Sequence, residues 1–167
     1  MRYDPYEELD ADGSYDVMQV CLNGHQITTS LISYPQHGRA YCKDCGSPTI
    51  SACPDCNANM RGYLRGSMSL SHIPVPNYCE DCGRPFPWHE AAIENMKDIL
   101  RQEDLADDQL AIFDAALPDV LRDTPKTESA AMRMRKVLQG LGKPAYAVMV
   151  RVLSDVASES AKKSLGF

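Results

Sequence analysis

The chain has 167 residues and a mass of 18.5 kDa, enough for one ordinary domain or two small ones and too little for separate cofactor and substrate domains. Lys and Arg total 17 against 23 Asp and Glu, a formal net charge of -6 that argues against indiscriminate coating of nucleic acid. At 44% hydrophobic and 24% charged residues the composition is globular; the anomaly is seven cysteines beside three Phe and one Trp.

Residues 1–16 read as an acidic N-terminal arm. Asp4, Glu7, Glu8, Asp10, Asp12 and Asp16 stand against Arg2 alone, too little apolar surface to fold unaided, although Tyr3, Tyr6 and Tyr15 can dock locally. No basic-then-apolar leader opens the chain, and its longest apolar run, near Ala145 to Leu153, is interrupted by Arg151. That is far short of the roughly 20 residues a spanning helix needs, so the expectation is a cytoplasmic chain without a transmembrane segment.

From Val17 to Trp88 the sequence is rich in Cys, Gly, Pro and Ser, with short apolar pieces that suggest small hairpins. All seven cysteines lie here, six of them in three C-x-x-C pairs: Cys42 with Cys45, Cys53 with Cys56, and Cys79 with Cys82. Cys21 pairs with His25 across a Gly turn. Among reduced thiols such pairs serve metal more often than disulfides, and an odd count leaves a spare thiol in any all-disulfide scheme. Two residues between paired cysteines let a tight turn aim both sulfurs at one ion, and two such turns make the tetrahedral set that zinc prefers. Gly46 and Gly83 follow their pairs, where the backbone often needs a positive φ.

Eight ligands give two closed sites with no position left for water, the arrangement of structural zinc. The short stretch between Cys45 and Cys53 favours joining Cys21, His25, Cys42 and Cys45 in one site and Cys53, Cys56, Cys79 and Cys82 in the other. A crossed pairing stays open, as does His37 in place of His25. His72 and His89 read as ordinary polar residues. A thioredoxin-type redox pair needs a βαβ setting, which is missing; iron suits an all-cysteine site, but a site with one imidazole favours zinc.

After Pro85-Phe86-Pro87-Trp88 the cysteines stop and helical periodicity begins, so the boundary falls there, with Trp88 filling the seam. Ile93, Met96, Ile99 and Leu100 mark a first helix over 90–102. Leu110, Phe113 and Leu117 mark a second, with Asp107 and Asp108 at its N-terminus and Pro118 ending it or opening a new turn. Ala130, Met134, Val137, Leu138 and Leu141 form a third, closed by Gly140 and Gly142. Pro144 starts the last, running through Lys163 with Val148, Val152 and Val156 along one face. The predicted class is α+β: a small all-β zinc-binding part over 17–88, then an α-helical region of three or four helices over 89–167.

The segments Cys21-Leu-Asn-Gly-His25, Tyr41-Cys-Lys-Asp-Cys-Gly46, Ile50-Ser-Ala-Cys-Pro-Asp-Cys56, Met60-Arg-Gly-Tyr63 and Tyr78-Cys-Glu-Asp-Cys-Gly83 together resemble a bacterial family of tandem zinc-ribbon proteins with a helical C-terminal region. The ending Leu153-Ser-Asp-Val-Ala-Ser-Glu-Ser-Ala-Lys-Lys163 is similar to that family's as well. The resemblance implies architecture and two structural zinc ions and transfers no catalytic residue.

Arg61, Tyr63 and Arg65 alternate, so a strand would line them on one face, a candidate surface for nucleic acid or another partner; a solvated sheet edge is the plainer reading. The helical half splits in charge: ten acids against three bases over 90–123, then eight bases against three acids from Thr124 onward. Complementary packing explains this most simply, and self-association or docking on a protein partner comes next. No nucleophile elbow, Walker loop or H-E-x-x-H pattern occurs. The expectation is a non-enzymatic zinc-binding module for protein interaction or assembly, the alternatives being a nucleic-acid-binding module and a thiol redox or zinc sensor.

Overall fold

The computed structural model describes residues 15–65, 73–103 and 105–166. Most of the acidic arm, with Tyr3 and Tyr6, and also His72 lie outside the described residues. The class is α+β: five short strands precede five helices among the described residues. By its own contacts the chain divides into two units, Met1–Glu90 and Ala91–Phe167.

In the first unit, β1 (Tyr15–Val17) pairs antiparallel with β5 (Arg61–Leu64), Val17 facing Arg61. A second sheet has the order β3-β2-β4, from β2 (Gln19–Cys21), β3 (Gln26–Thr28) and β4 (Thr49–Ile50), all antiparallel. Strands of two to four residues have little stability alone. Their apolar support is small: Met18, Val20, Met60 and Phe86 are buried with Cys53 and Cys79, and Ile50, Ile73, Val75 and Trp88 pack alongside. Gly62 permits the close approach of β5 to its neighbours, because a Cβ there would stand 2.2 Å from the Thr29 carbonyl oxygen.

Asp16, counted by composition with the solvated arm, is buried in β1 instead. Its carboxylate accepts the backbone N–H groups of Val17 (2.7 Å), Ile32 (2.8 Å) and Ser33 (3.0 Å), so it fastens the 30–33 turn to the strand. Burial raises its pKa, but the Ser33 hydroxyl and these N–H groups outweigh that and hold it below 3.8. A depressed carboxylate pKa adds stability above the unfolded value, and that stability drains away as pH falls through the lower folded one. Asp16→Ala should therefore cost about 2 kcal/mol at neutral pH, measured by denaturant unfolding, with the gap to wild type closing below about pH 4.

Trp88 completes this unit. It stacks on Phe86 (centroids 4.8 Å, 11°), its indole N–H donates to the Pro76 carbonyl at 3.0 Å, and its Cβ and Cγ lie 3.1 Å from where a Gly24 Cβ would be. Gly24 also sits at φ 84, so the position requires glycine twice over.

The helices are α1 (Pro87–Gln102), α2 (Asp107–Leu121), α3 (Thr127–Leu138), α4 (Lys143–Val156) and α5 (Glu159–Leu165), one more than the upper sequence expectation. The expected last helix is two. Ala157 and Ser158 are extended, the Ser158 N–H donates to the Val120 carbonyl (3.0 Å), and its hydroxyl accepts from Ala161 N–H (3.3 Å) to cap α5. Pro118 neither ends α2 nor opens a turn; it lies inside the helix. Its missing N–H forfeits one bond at an exposed position, while buried Val120 and Leu121 hold the final turn in place.

The core phase of α4 also differs from the valine stripe. Ala145, Met149, Leu153 and Val156 face inward, whereas Val148 is 47% exposed, because a strict four-residue spacing drifts around a 3.6-residue helix. Phe113, Met134, Leu138, Met149 and Leu153 centre one apolar core to which α1 adds Met96 and Leu100. Between α2 and α3, buried Thr127 accepts from Thr124 N–H (2.8 Å), and its hydroxyl lies 2.9 Å from the Asp119 and Arg122 carbonyls.

Two candidate metal centres

Three loops share one backbone construction. In each, the first cysteine's N–H bonds a carbonyl five residues on: Cys42 to Ser47 (2.9 Å), Cys53 to Ala58 (2.8 Å) and Cys79 to Arg84 (2.8 Å). The first cysteine's carbonyl then accepts from Gly46, Asn57 or Gly83, and those residues take φ 71, 60 and 71. That left-handed residue reverses the chain just past the second cysteine, so both sulfurs point to one side. The N–H groups of Ser47, Ala58 and Arg84 reach the sulfurs of Cys45, Cys56 and Cys82. The fourth turn is different: Cys21 N–H bonds the His25 carbonyl (3.0 Å), Gly24 N–H bonds the Cys21 carbonyl (2.9 Å), and His25 N–H approaches the Cys21 sulfur at 3.3 Å.

Folding brings the turns together in sequence order. Cys21, His25, Cys42 and Cys45 form one cluster and Cys53, Cys56, Cys79 and Cys82 another, with ligand atoms within 4.8 Å of one another in each. The β2–β4 pairing sets the first loop beside the Cys21 turn, fixed by Leu22 N–H to Pro48 O (3.0 Å) and the Asn23 amide to the Ser47 hydroxyl (2.8 Å). The crossed pairing does not occur. His37 is not in the cluster; it lies in a 3-10 turn, stacked on Tyr34 with centroids 5.4 Å apart. His89 is buried at the start of α1 with Nε2 2.8 Å from the Tyr78 hydroxyl.

The spacings fit a tetrahedral ion. Zinc–sulfur bonds of about 2.3 Å put two sulfurs about 3.8 Å apart, and a sulfur and an imidazole nitrogen about 3.6 Å apart. Here Cys21 and Cys45, Cys53 and Cys82, and Cys56 and Cys79 are each 3.7 Å apart, and His25 Nδ1 is 3.6 Å from the Cys42 sulfur. A disulfide needs about 2.05 Å, and all seven thiols are free.

Packing three thiols into the first cluster and four into the second divides their titration. Backbone N–H and hydroxyl of Ser47 draw Cys45 down to about 6, and N–H groups of Cys56 and Asp55 overcome burial to bring Cys53 to about 7. Although the Ala58 N–H favours its thiolate, burial and the neighbouring Cys82, Cys79 and Cys53 thiols push Cys56 up to about 12. One sulfur ionises at the expense of the others, a conflict that a divalent cation removes.

His25 is the one ligand without a thiolate, so His25→Ala should weaken the first centre by roughly a hundredfold or more while the second stays filled. Stepwise competition with a chromophoric chelator would read this, and His25→Cys should restore tight binding.

Of Arg61, Tyr63 and Arg65, the first two lie two residues apart in β5 and the third follows the strand. Strand β5 stops at Leu64, and Arg61 is occupied, 3.1 Å from Glu80 and 4.6 Å from the centre of the Tyr15 ring. The Tyr63 hydroxyl is buried. The left-handed residue of the Cys53–Cys56 loop was not anticipated, because Asn57 stands where the other two loops carry glycine; asparagine is the next residue to accept that conformation.

Fold and site together define an α+β protein with two four-ligand Cys/His clusters capable of holding zinc, in a unit separate from a helical one. The family described as "Uncharacterized protein conserved in bacteria (DUF2321)" matches residues 14–165, and the chain belongs to it. No curated protein and no solved structure matches the chain. No helix among the described residues is long and apolar enough to cross a membrane.

Proposed function

We propose that the protein is a non-enzymatic interaction module in which two structural zinc ions, held in tandem zinc-ribbon-type centres, rigidify the first unit and the helical unit mediates assembly. The observation that carries this reading is the completeness of each ligand set: four protein atoms at tetrahedral spacing leave no position for substrate or water. The helical unit supports the assembly role with its acidic α1–α2 and basic α3–α5 sequences and with exposed Ile112, Met132, Tyr146 and Val148. Cytoplasmic placement belongs to the same reading, since reduced thiols keep the centres loaded.

Cobalt substitution tests it. A closed centre keeps its visible spectrum when azide or cyanide is added; a shift would reveal an open coordination position and a catalytic metal. The redox-sensor reading draws support from exposed Cys45, Cys56 and Cys82. It requires that hydroperoxide oxidise paired thiolates to disulfides with release of both ions, that the peroxide be reduced to water or alcohol, and that a thiol reductant with zinc restore the protein.

A further inference from the structure

We propose that the loop spanning Thr29 to Lys43 is a binding surface for single-stranded nucleic acid, a function beyond the assembly role above. From Val17 to Lys43 the sequence contains no Asp or Glu, in a chain with 23 of them. The charges in that stretch are Arg39 and Lys43, and neither forms an ion pair among the described residues.

The same loop holds exposed rings. Tyr34 is 52% and Tyr41 65% exposed, and His37 stacks on Tyr34 at 17° to make a two-ring ledge. The loop backbone that carries these groups is held by hydrogen bonds. Asp16 fixes Ile32 and Ser33, and Tyr34 N–H bonds the Ser30 carbonyl at 2.9 Å. At the far end the Gln19 amide both donates to the Arg39 carbonyl and accepts from its N–H, each at 3.0 Å, while Thr49 N–H holds Ala40 at 3.2 Å. Arg39 itself spans the turn, donating to the Gln36 and Gly38 carbonyls at 2.7 Å.

Aromatic faces beside cations suit stacked bases and their phosphates, and a loop backbone ordered in advance lowers the entropy cost of binding. A loaded first centre would repel a polyanion less than the second. Three thiolates and an imidazole leave the first centre with one net negative charge, against two at the all-cysteine centre. A protein partner would be served as well by rings beside carboxylates; within the loop itself there is none, since Asp16, which anchors it, is buried and Asp44 follows its last residue, and that favours a polyanion.

The test uses zinc-loaded full-length protein and labelled homopolymers, dT and U of about 15 nucleotides, in fluorescence anisotropy. Binding should be present at about 50 mM salt and fall with a log–log slope of roughly 1 to 1.5, as two phosphate contacts on a single strand predict. Tyr34→Ala and Tyr41→Ala should each weaken it about tenfold, while the Phe versions retain it and Arg61→Ala leaves it unchanged. Zinc content, measured in parallel, shows that each variant has kept its fold. Should an alanine variant lose zinc, Lys43→Gln decides, with a lower slope expected. No binding at low salt, or wild-type affinity and slope in zinc-loaded Tyr34→Ala, Tyr41→Ala and Lys43→Gln, would overturn the proposal.

Discussion

Exhaustive chelation is expected to abolish the ordered structure of the first unit and spare the helices. Its strands are two to four residues long, and its buried apolar cluster holds few large side chains. Three loops whose left-handed turns serve only to converge sulfurs have no other reason to persist. Structural zinc contributes about 10 to 16 kcal/mol of apparent folding free energy in small domains, more than this apolar core can replace. Hydrogen exchange on the full chain reads the result: amides of Met18, Cys42, Cys53 and Cys79 lose protection on metal removal and recover it when zinc returns. Those of α2 and α3 stay protected, because that unit has its own core. Retained protection in both units would show that the clusters are not what folds the first.

The second large effect is in the helical unit. Phe113→Ala should cost about 3 to 5 kcal/mol, since the ring is wholly buried and its removal leaves a cavity among rigid helices. Denaturant unfolding followed by helical circular dichroism measures it, and metal content should remain that of the wild type. A cost below about 1 kcal/mol would mean that Phe113 is not at the centre of that core.

The clusters were the most legible part of the sequence, because the spacing of paired cysteines is a local property of a tight turn and the short link between Cys45 and Cys53 limits how turns combine. Choosing His25 over His37 was legible for the same reason: Gly24 folds His25 back on Cys21, while His37 lies in a separate turn with Tyr34. What stayed hidden depended on partners distant in sequence. Asp16 reads as one more acid in an acidic stretch until the backbone of Ile32 and Ser33 is brought to it. Ser158 divides the expected last helix because the Val120 carbonyl, on another helix, takes its N–H. Pro118 is tolerated because the residues beyond it are buried. In the same way Arg61 and Tyr63 keep the alternation read from the sequence, but Glu80 and Tyr15 had already engaged the guanidinium.

Zinc-edge X-ray absorption on protein purified without added chelator examines the centres themselves. The ligand sets predict two ions per chain sharing seven sulfurs at about 2.3 Å and one imidazole nitrogen at about 2.0 to 2.1 Å, with no oxygen in the coordination sphere. Protein lacking a tightly held metal, or a sphere rich in oxygen or nitrogen, would contradict it.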